Sequence, residues 1–326
     1  MRAHFNIHGL AFELSADHPA LFNAFAEDLS FFRSRGHAPG KRPVRLTLTA
    51  LPSSLNGDGT PKPFAPYREM GTRRTTASGR SVTCYGRSAV TVISSFREPS
   101  IRAAVLPETA LLVDPAYHYC FTQPASLWFK RRGLFFLHAG CVSKDSRGIL
   151  IVGHSRAGKS ILSLSAVRGG YKFLSDEQPL LSLRNGQVRA HSFPRRIRLH
   201  RTDAGFFQEL EPLLKSSPLD RLIFPIQKFW AGCVAPSCKP RLLIFPNFHR
   251  QGPFRVSSLH PSEALARLLQ DDHFVWYRDS PWARLSHQHL ALFEKLVRQA
   301  PAFSLRYRNE DLPQIPPLFH RLLSRG

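Results

Sequence analysis

The 326-residue chain has few acidic residues, few cysteines and no long apolar run. Its 23 Asp and Glu residues face 45 Lys and Arg residues, so the formal net charge is +22. The five cysteines are odd in number and lack metal-ligand or redox spacing, which argues against a disulfide scaffold or a zinc module and favours a reducing compartment. Because no stretch approaches membrane-spanning length and no signal-peptide pattern is present, we expect a cytoplasmic protein without a membrane partner.

The excess of positive charge predicts anionic partners, because the summed field attracts negative ligands. The basic residues are spread in small clusters such as Lys130–Arg132 and Arg195–Arg198, and no aromatic-basic RNA-binding signature accompanies them. Nucleic acid is therefore less favoured as a partner than a nucleotide, a phosphorylated metabolite or an acidic peptide. A high arginine content without functional meaning also accounts for the charge.

The first part of the chain predicts a small α+β domain without visible chemistry. Apolar residues alternate on either side of Gly9, which indicates a strand pair, and a helix is predicted over Pro19–Phe32 with Asp17 as its cap. Another strand is expected over Val44–Thr49. Residues 52–80 are rich in Pro, Gly, Ser, Thr and Arg, and we expect a long exposed loop there.

A segment in the middle of the chain satisfies the phosphate-loop pattern G-x-x-x-x-G-K-[ST] at every fixed position. A buried strand over residues 148–152 runs into it and a helix over residues 161–167 leaves it, which is the context that the motif requires. The loop consists of Gly153, His154, Ser155, Arg156, Ala157, Gly158, Lys159 and Ser160.

Such a loop binds phosphate through converging backbone N–H groups and the positive end of the helix that follows. The motif therefore predicts ATP as a cofactor, with Lys159 bridging the β- and γ-phosphates and the Ser160 hydroxyl on Mg²⁺. A chance match in an ordinary glycine turn is the alternative, and the flanking strand and helix argue against it.

A pair of carboxylates, Asp176 and Glu177, ends a short apolar strand 17 positions after Lys159. The interval has room for one helix and one strand, so it predicts a short crossover to the neighbouring strand. Since open α/β sheets bind ligands at the carboxyl ends of their strands, both acids are expected next to the loop. Two acids beside a phosphate loop suggest a metal ligand and a base.

Five features follow one another along the chain: Leu137-His138-Ala139-Gly140, the Gly148 turn, the phosphate loop, Phe173-Leu174-Ser175-Asp176-Glu177 and Phe193-Pro194-Arg195. In order and spacing they resemble the HPr kinase/phosphorylase family, especially the HPr-kinase-related kinases, which share a core with the ATP-type phosphoenolpyruvate carboxykinases. The resemblance extends over roughly residues 133–200. It implies a phosphate-loop α/β kinase domain with a mixed sheet over residues 120–326, after an N-terminal α+β domain over residues 1–119.

The resemblance also implies roles for individual residues. Asp176 matches the family's general base, Glu177 a residue that helps to hold Mg²⁺, and His138 a histidine near the phosphates. Arg195, Arg196 or Arg198 could reach the transferred group or an acidic acceptor, and Arg195 and Arg196 are the expected substrate contacts. Without the resemblance, His138 is an ordinary histidine at a strand end, Glu177 is a surface acid, and these arginines belong to a solvated strand edge.

Two residues depart from the family's pattern. Arg156 stands where relatives usually have a small residue, and Glu177 stands where many have aspartate. Arg156 places bulk and charge beside the phosphates, so it can either tighten nucleotide binding or block the approach of the nucleotide.

These observations predict an ATP-dependent, Mg²⁺-requiring kinase that acts on a hydroxyl. The acceptor is a serine of a peptide or small protein, or a small hydroxylated metabolite, and the resemblance is compatible with a homo-oligomer. Two alternatives stay open. One is a regulatory or assembly protein that binds ATP without phosphoryl transfer, and the other is a protein that binds a polyanion such as nucleic acid through its basic surface.

Overall fold

The computed structural model describes residues 1–36, 42–50, 74–75, 80–85, 90–95, 99–105, 118–270, 274 and 283–324. Contacts between residues divide the chain into two compact units, Met1–Phe129 and Lys130–Gly326. Both units combine helices with sheets, in agreement with the predicted mixed α+β class. The sequence predicts two domains that meet near residue 120. That domain boundary stays a prediction.

The first unit is built on one sheet that has eight strands in the described ranges. They are β1 Arg2–Ile7, β2 Leu10–Ala16, β3 Arg33–Ser34, β4 Val44–Ala50, β5 Arg74–Thr75, β6 Arg80–Tyr85, β7 Val90–Ser95 and β8 Ser100–Val105. Their order across the sheet is β3-β1-β2-β4-β8-β7-β6-β5. The helical segments up to residue 131 are α1 Pro19–Asp28, a 3₁₀ turn Ser30–Phe32, a π-helical turn His118–Thr122 and α2 Gln123–Arg131.

Two predictions for this unit can be compared directly with the structure. The strand pair around Gly9 is confirmed, because β1 and β2 form an antiparallel hairpin in which Ile7 pairs with Leu10. The exposed loop predicted over 52–80 lies largely outside the described residues. Within it, Arg74–Thr75 is a short strand that pairs with β6, and Arg80 is the first residue of β6, so the loop prediction is wrong at these three positions.

The helix predicted after residue 18 is present, but Asp17 is not its cap. His18 caps the helix, since its Nδ1 accepts a hydrogen bond from the Ala20 N–H at 3.2 Å. Asp17 Oδ1 instead accepts a hydrogen bond from the Ala50 N–H at 2.8 Å. The carboxylate therefore satisfies the backbone at the end of β4, and the neighbouring imidazole takes over the helix start.

The second unit contains the phosphate-loop segment. Its strands are β9 Phe135–Phe136, β10 Ala139–Lys144, β11 Arg147–Val152, β12 Lys172–Ser175, β13 Leu180–Arg184, β14 Gln187–His191, β15 Ile197–His200, β16 Arg221–Phe224, β17 Ser237–Phe248, β18 Arg255–Leu259 and β19 Ala302–Tyr307. Its later helices are α3 Lys159–Arg168, α4 Arg201–Ala204, α5 Glu211–Ser216, α6 Pro261–Leu269, α7 Ala283–Gln299 and α8 Ile315–Ser324. The 3₁₀ turns are Gln208–Leu210, Ile226–Lys228 and Asn309–Gln314.

A mixed sheet, with nine strands among the residues described, organises this unit. One path through it runs β12-β10-β11-β17-β14-β13-β9, and β19 pairs with both β17 and β18. The β11, β17 and β19 strands run parallel to one another. No helix in the described ranges is long and apolar enough to cross a membrane.

Helices cover both faces of this sheet. Successive side chains of β11 belong alternately to two apolar cores, one on each face. Ile149 and Ile151 belong to one core, together with Leu162 of α3. Leu150 belongs to the opposite core, together with Leu292 of α7. Because successive side chains of a strand point to opposite faces, a strand covered on both sides reads as an unbroken apolar run in the sequence.

The connection after the phosphate loop differs from the prediction in one respect. The α3 helix leads to β12 as expected, but β12 pairs with β10 and is not the neighbour of β11. Both pairings along β11-β10-β12 are antiparallel, so β11 and β12 point the same way with β10 between them. Their carboxyl ends therefore lie at the same edge of the sheet, one strand further apart than the sequence indicated.

Candidate functional site

The phosphate-loop segment forms a tight turn between β11 and α3. Two of its residues have left-handed backbone angles, Arg156 with φ 68° and Gly158 with φ 94°. A hydrogen bond from the Ala157 N–H to the His154 carbonyl at 3.1 Å closes the turn. The segment thus has the strand, loop and helix in the order that the motif requires.

Gly158 is the loop position that tolerates a side chain least. Its φ is positive, and a β-carbon there would collide with the hydroxyl of Tyr307, the last residue of β19. Tyr307 is buried, its Oη has no hydrogen-bond partner among the described residues, and burial raises the pKa of the phenol well above its ordinary value. A glycine is required here both for the backbone conformation and for the close approach of the ring.

Lys159 is buried and folds back onto the loop. Its Nζ donates hydrogen bonds to the carbonyl oxygens of Gly153 at 2.8 Å and His154 at 3.0 Å. A triphosphate in the loop would offer the same ammonium group charged acceptors, which form shorter and stronger hydrogen bonds than neutral carbonyls. The predicted contact of Lys159 with phosphate therefore requires only a change of hydrogen-bond acceptor within the loop.

Ser160 and Asp176 are joined by a direct hydrogen bond. The Ser160 Oγ donates to Asp176 Oδ2 at 2.8 Å. Asp176 follows the last residue of β12 and is 7% exposed, and its Oδ1 is buried without a hydrogen-bond partner in the part of the chain that is described. The fold thus brings the last residue of the loop together with the first acid of the pair.

The surroundings of Asp176 raise its pKa to about 7. Burial is the largest cause, because it penalises the ionised form, and the negative charge of Glu177 acts in the same direction. The hydrogen bond from Ser160 and the positive charges of Lys159 and Arg195 act in the opposite direction. A carboxyl group with a pKa near neutrality can both lose and hold a proton at physiological pH, as a general base must.

A small cavity beside Asp176 brings together most of the other predicted residues. Glu177, Arg195 and Arg196 line it, and so does Arg198. Three arginines therefore line the cavity beside the acid pair, and their contact with a substrate stays a prediction. This side of the loop suits a negatively charged group held close to the Asp176 carboxylate.

His138 contributes to a different cavity. It immediately precedes β10 and, with Gly153 and His154, lines a space of about 260 Å³ on the other side of the loop start. Among the described residues it is not part of the lining of the Asp176 cavity. The structure therefore brings His138 to the loop, and separates it from the cavity of the acid pair.

The middle of the loop forms its outer surface. His154, Ser155 and Arg156 are exposed, and Ala157 is half-buried. Because the Arg156 side chain is exposed, its bulk contacts solvent and does not fill the turn. Whether Arg156 tightens nucleotide binding or blocks the approach of the nucleotide stays a prediction.

The residues around Asp176 fit a Mg²⁺ ion that is held partly by a nucleotide. No group of three or more His, Cys, Asp or Glu side chains that could hold a metal exists within the described ranges. Mg²⁺ usually keeps several waters and takes one or two carboxylates together with phosphate oxygens. The Ser160 hydroxyl and the Glu177 carboxylate are oxygen ligands of this kind, and both lie beside Asp176.

The sequence did not indicate four residues that surround the loop: Phe245, Arg267, Gln270 and Tyr307. The parallel pairing of β11 with β17 and of β17 with β19 places the ends of these strands at the loop. In the sequence, Arg241–Pro246 indicates a core strand and Phe303–Tyr307 a final strand, and ligands of α/β sheets bind at the carboxyl ends of such strands. The pairing that brings these ends together is not readable from the sequence.

No family model matches the chain, and no curated protein matches it. Among solved structures the chain is similar to the Hpr(Ser) kinase/phosphatase from Coxiella burnetii. The two are 15% identical, the match covers 59% of this chain and 99% of the other, and its TM-score is 0.32. The relation is a distant one at the level of the fold, and the function proposed for this chain rests on the geometry of the site.

Proposed function

We propose that the chain is an ATP-dependent, Mg²⁺-requiring kinase that transfers the γ-phosphoryl group to a hydroxyl acceptor. The 2.8 Å hydrogen bond between Ser160 Oγ and Asp176 Oδ2 carries the proposal. It links the end of a phosphate-loop turn to a buried carboxyl group whose pKa is raised to about 7. This contact supports a proposed phosphate site and a proposed proton acceptor that are one hydrogen bond apart.

The loop and its helix supply the affinity for the triphosphate. The ten-residue helix α3 begins at Lys159, and its N-terminus carries a partial positive charge that favours an anion. The Lys159 ammonium group adds a full positive charge at the same place. When bound with the nucleotide, Mg²⁺ would neutralise charge on the β- and γ-phosphates. Ser160 and Glu177 would hold it, with the Asp176 carboxylate adjacent.

Asp176 is proposed as the general base. In the transfer, the acceptor oxygen forms a bond to the γ-phosphorus while the bond between that phosphorus and the β–γ bridging oxygen breaks, and ADP leaves with the electron pair. Asp176 takes the proton of the acceptor hydroxyl. Oδ2 accepts the hydrogen bond from Ser160, and Oδ1 is buried without a hydrogen-bond partner among the described residues, so the proposal requires the bound acceptor to reach Oδ1 or to replace Ser160 at Oδ2.

The arginines beside the acid pair support an acceptor that carries negative charge near its hydroxyl. Arg195, Arg196 and Arg198 line the same cavity as Asp176. Guanidinium groups recognise carboxylates and phosphates through paired hydrogen bonds. A serine in an acidic peptide, or a hydroxylated acid, is the acceptor class that this surface favours.

The proposal is tested by phosphate transfer from [γ-³²P]ATP with Mg²⁺ to an array of serine-containing peptides, half of them with acidic residues beside the serine. We expect labelling of acidic peptides by the wild-type chain. Removal of the base in Asp176→Asn should lower the rate about 10²- to 10⁴-fold, the usual contribution of general base catalysis. Asp145→Asn is the matched control, because Asp145 is exposed in a hairpin turn with φ 51°, which asparagine tolerates.

Transfer at the wild-type rate by Asp176→Asn would exclude Asp176 as the base. Tight binding of ATP by the wild-type chain with neither transfer nor hydrolysis would favour a nucleotide-dependent regulatory or assembly protein instead. Equal transfer to acidic and neutral peptides would remove the argument from the three arginines and leave the kinase activity itself intact.

A further inference from the structure

The cavity that contains His138 is separate from the Asp176 cavity and has a different chemistry. Its volume of about 260 Å³ is close to the lower end of small-molecule sites, roughly 300 Å³, so it can hold one ring system and not a whole nucleotide. Val152, Phe245 and Pro246 give it apolar walls. The start of the phosphate loop, at Gly153 and His154, forms one side.

The position of this cavity along the loop is informative. The loop starts at Gly153, in the cavity wall, and ends at Ser160, on the Asp176 carboxylate. In the sheet, β12 with Asp176 lies on one side of β11 and β17 with Phe245 lies on the other. A triphosphate whose γ-phosphate is at the Asp176 end must therefore extend its nucleoside away from β12, towards the β17 side.

Two side chains give the cavity the means to recognise a flat heterocycle. The guanidinium of Arg267 lies over the Phe245 ring, 5.3 Å from its centroid, and is held at 2.8 Å by Glu263 one helical turn earlier. A guanidinium plane fixed in this way is a surface on which an aromatic ring can stack. Gln270, at the end of α6, offers an amide that can donate and accept hydrogen bonds at once.

We infer that this cavity binds the base of the donor nucleotide, an inference that rests on the function proposed above. The base stacks at Arg267 and Phe245 and receives its polar contact from Gln270. The acceptor then has access to the γ-phosphate from the opposite side, where Arg195, Arg196 and Arg198 surround Asp176. The loop thus separates a base subsite from an acceptor subsite.

The test compares calorimetric binding of ATP with that of inorganic tripolyphosphate, which has the phosphates and no base, in the presence of Mg²⁺. Arg267→Ala and Gln270→Ala should each weaken ATP binding, by roughly 5- to 30-fold for the stacked arginine. Both should leave tripolyphosphate binding within about twofold of the wild-type value. Arg298→Ala is the control, because it removes an exposed positive charge from α7, outside the lining of this cavity, and should change neither affinity by more than about twofold.

Equal losses of affinity for ATP and tripolyphosphate in Arg267→Ala would overturn the inference, because the arginine would then bind phosphate. Wild-type affinity for ATP in both Arg267→Ala and Gln270→Ala would overturn it as well, and would leave the proposed kinase untouched. A wild-type chain that binds neither ligand would contradict the proposed function itself. Thermal unfolding of each variant shows that a lost affinity is not a lost fold.

Discussion

At the scale of single residues, the contact between Gly158 and Tyr307 makes the loop conformation depend on a residue about 150 positions away in the chain. A β-carbon at position 158 would collide with the Tyr307 hydroxyl and would also be strained by φ 94°. We expect Gly158→Ala to lower the free energy of unfolding by about 2–4 kcal/mol, as the sum of left-handed strain and overpacking. Urea denaturation of the variant measures it.

Tyr307→Phe separates the two causes. The Tyr307 hydroxyl is buried without a partner among the described residues, so its removal alone should be neutral or stabilise the protein by about 1 kcal/mol. In the double variant Gly158→Ala/Tyr307→Phe the backbone strain stays and the collision is relieved. Additive effects of the two substitutions would show that the ring and the loop are not in contact.

The raised pKa of Asp176 predicts how stability depends on pH. A carboxyl group with a pKa of 3.8 in the unfolded chain and about 7 in the folded chain binds its proton more tightly in the folded state. Its contribution to stability is therefore complete below pH 4 and is lost as the pH rises through 7. The loss amounts to about 4 kcal/mol, at 1.36 kcal/mol for each pKa unit.

Asp176→Asn lacks this titration. We expect the difference in unfolding free energy between variant and wild type to shift in favour of the variant from pH 4 to pH 7 and to level off above it. Urea denaturation at five pH values measures the difference, with Asp145→Asn as the reference for a carboxylate lost from an exposed turn. A constant difference over this range would show that Asp176 titrates at an ordinary pKa in the folded protein.

Residue-scale predictions succeeded where the chemistry is local. The 17 positions from Lys159 to Asp176 have room for only one helix and one strand. It could therefore be predicted that the acid lies near the loop. The cap of the first helix could not, because Asp17 and His18 are both able to accept from the helix N-terminus. The Ala50 N–H, which engages Asp17, comes from a strand more than thirty positions later.

At the scale of elements, the end of the loop helix α3 packs tightly against α8. A β-carbon on Gly169 would collide with the ring of Pro316, in the first turn of α8, although Gly169 has an ordinary negative φ of −81°. Gly169→Ala should therefore destabilise the protein by about 1–3 kcal/mol through overpacking. Thermal or urea unfolding measures the loss.

Gly186→Ala provides the comparison for this change. Gly186 has φ 68° in the hairpin turn between β13 and β14, and a β-carbon added there would have no atom within 4 Å, so its substitution carries only the strain of about 1–2 kcal/mol. A Pro316→Gly background removes both colliding ring carbons, so it should restore part of the stability lost in Gly169→Ala and none of that lost in Gly186→Ala. If Gly169→Ala and Gly186→Ala regain the same stability in that background, overpacking against Pro316 is not the cause of the loss.

Local sequence patterns were sufficient to predict individual strands and turns, but not which strands pair. The Asn185-Gly186 pair in the sequence predicts a hairpin turn, and the apolar run before the phosphate loop predicts a strand. Both are present, because turn chemistry and apolar runs act over a few residues. The prediction that β12 lies directly beside β11 was wrong. The strand β10 precedes the loop in the chain, and nothing in its sequence reveals that it lies between β11 and β12.

At the scale of the whole molecule, the cavity proposed for the base depends on segments that are distant in sequence. Val152, Phe245 and Arg267 come from β11, β17 and α6, and the parallel pairing of β17 with β11 brings them together. Long-range pairing of this kind is decided by the packing of the complete sheet, so the sequence alone predicts the loop and the acid pair and not the cavity opposite them.

The net charge of +22 is also a property of the whole chain, and it complicates any measurement with an anionic ligand. Removal of any lysine lowers the affinity for an anion slightly, because the net positive charge decreases. Removal of a lysine that contacts the bound anion should lower the affinity much more. Lys159 is buried in the loop, and Lys215 is exposed and paired with Glu211 at 2.7 Å on α5, so the two lysines form a matched pair of positions.

The most direct measurement is therefore calorimetric titration of Mg²⁺–ATP into the wild-type chain, Lys159→Met and Lys215→Met at physiological salt. Binding at one site by the wild type and by Lys215→Met, with a loss of at least about tenfold in Lys159→Met, is the predicted result, since a hydrogen bond to a charged group contributes about 1.5–3 kcal/mol. Equal affinities for all three proteins, or equal losses in both variants, would contradict a nucleotide site in this loop.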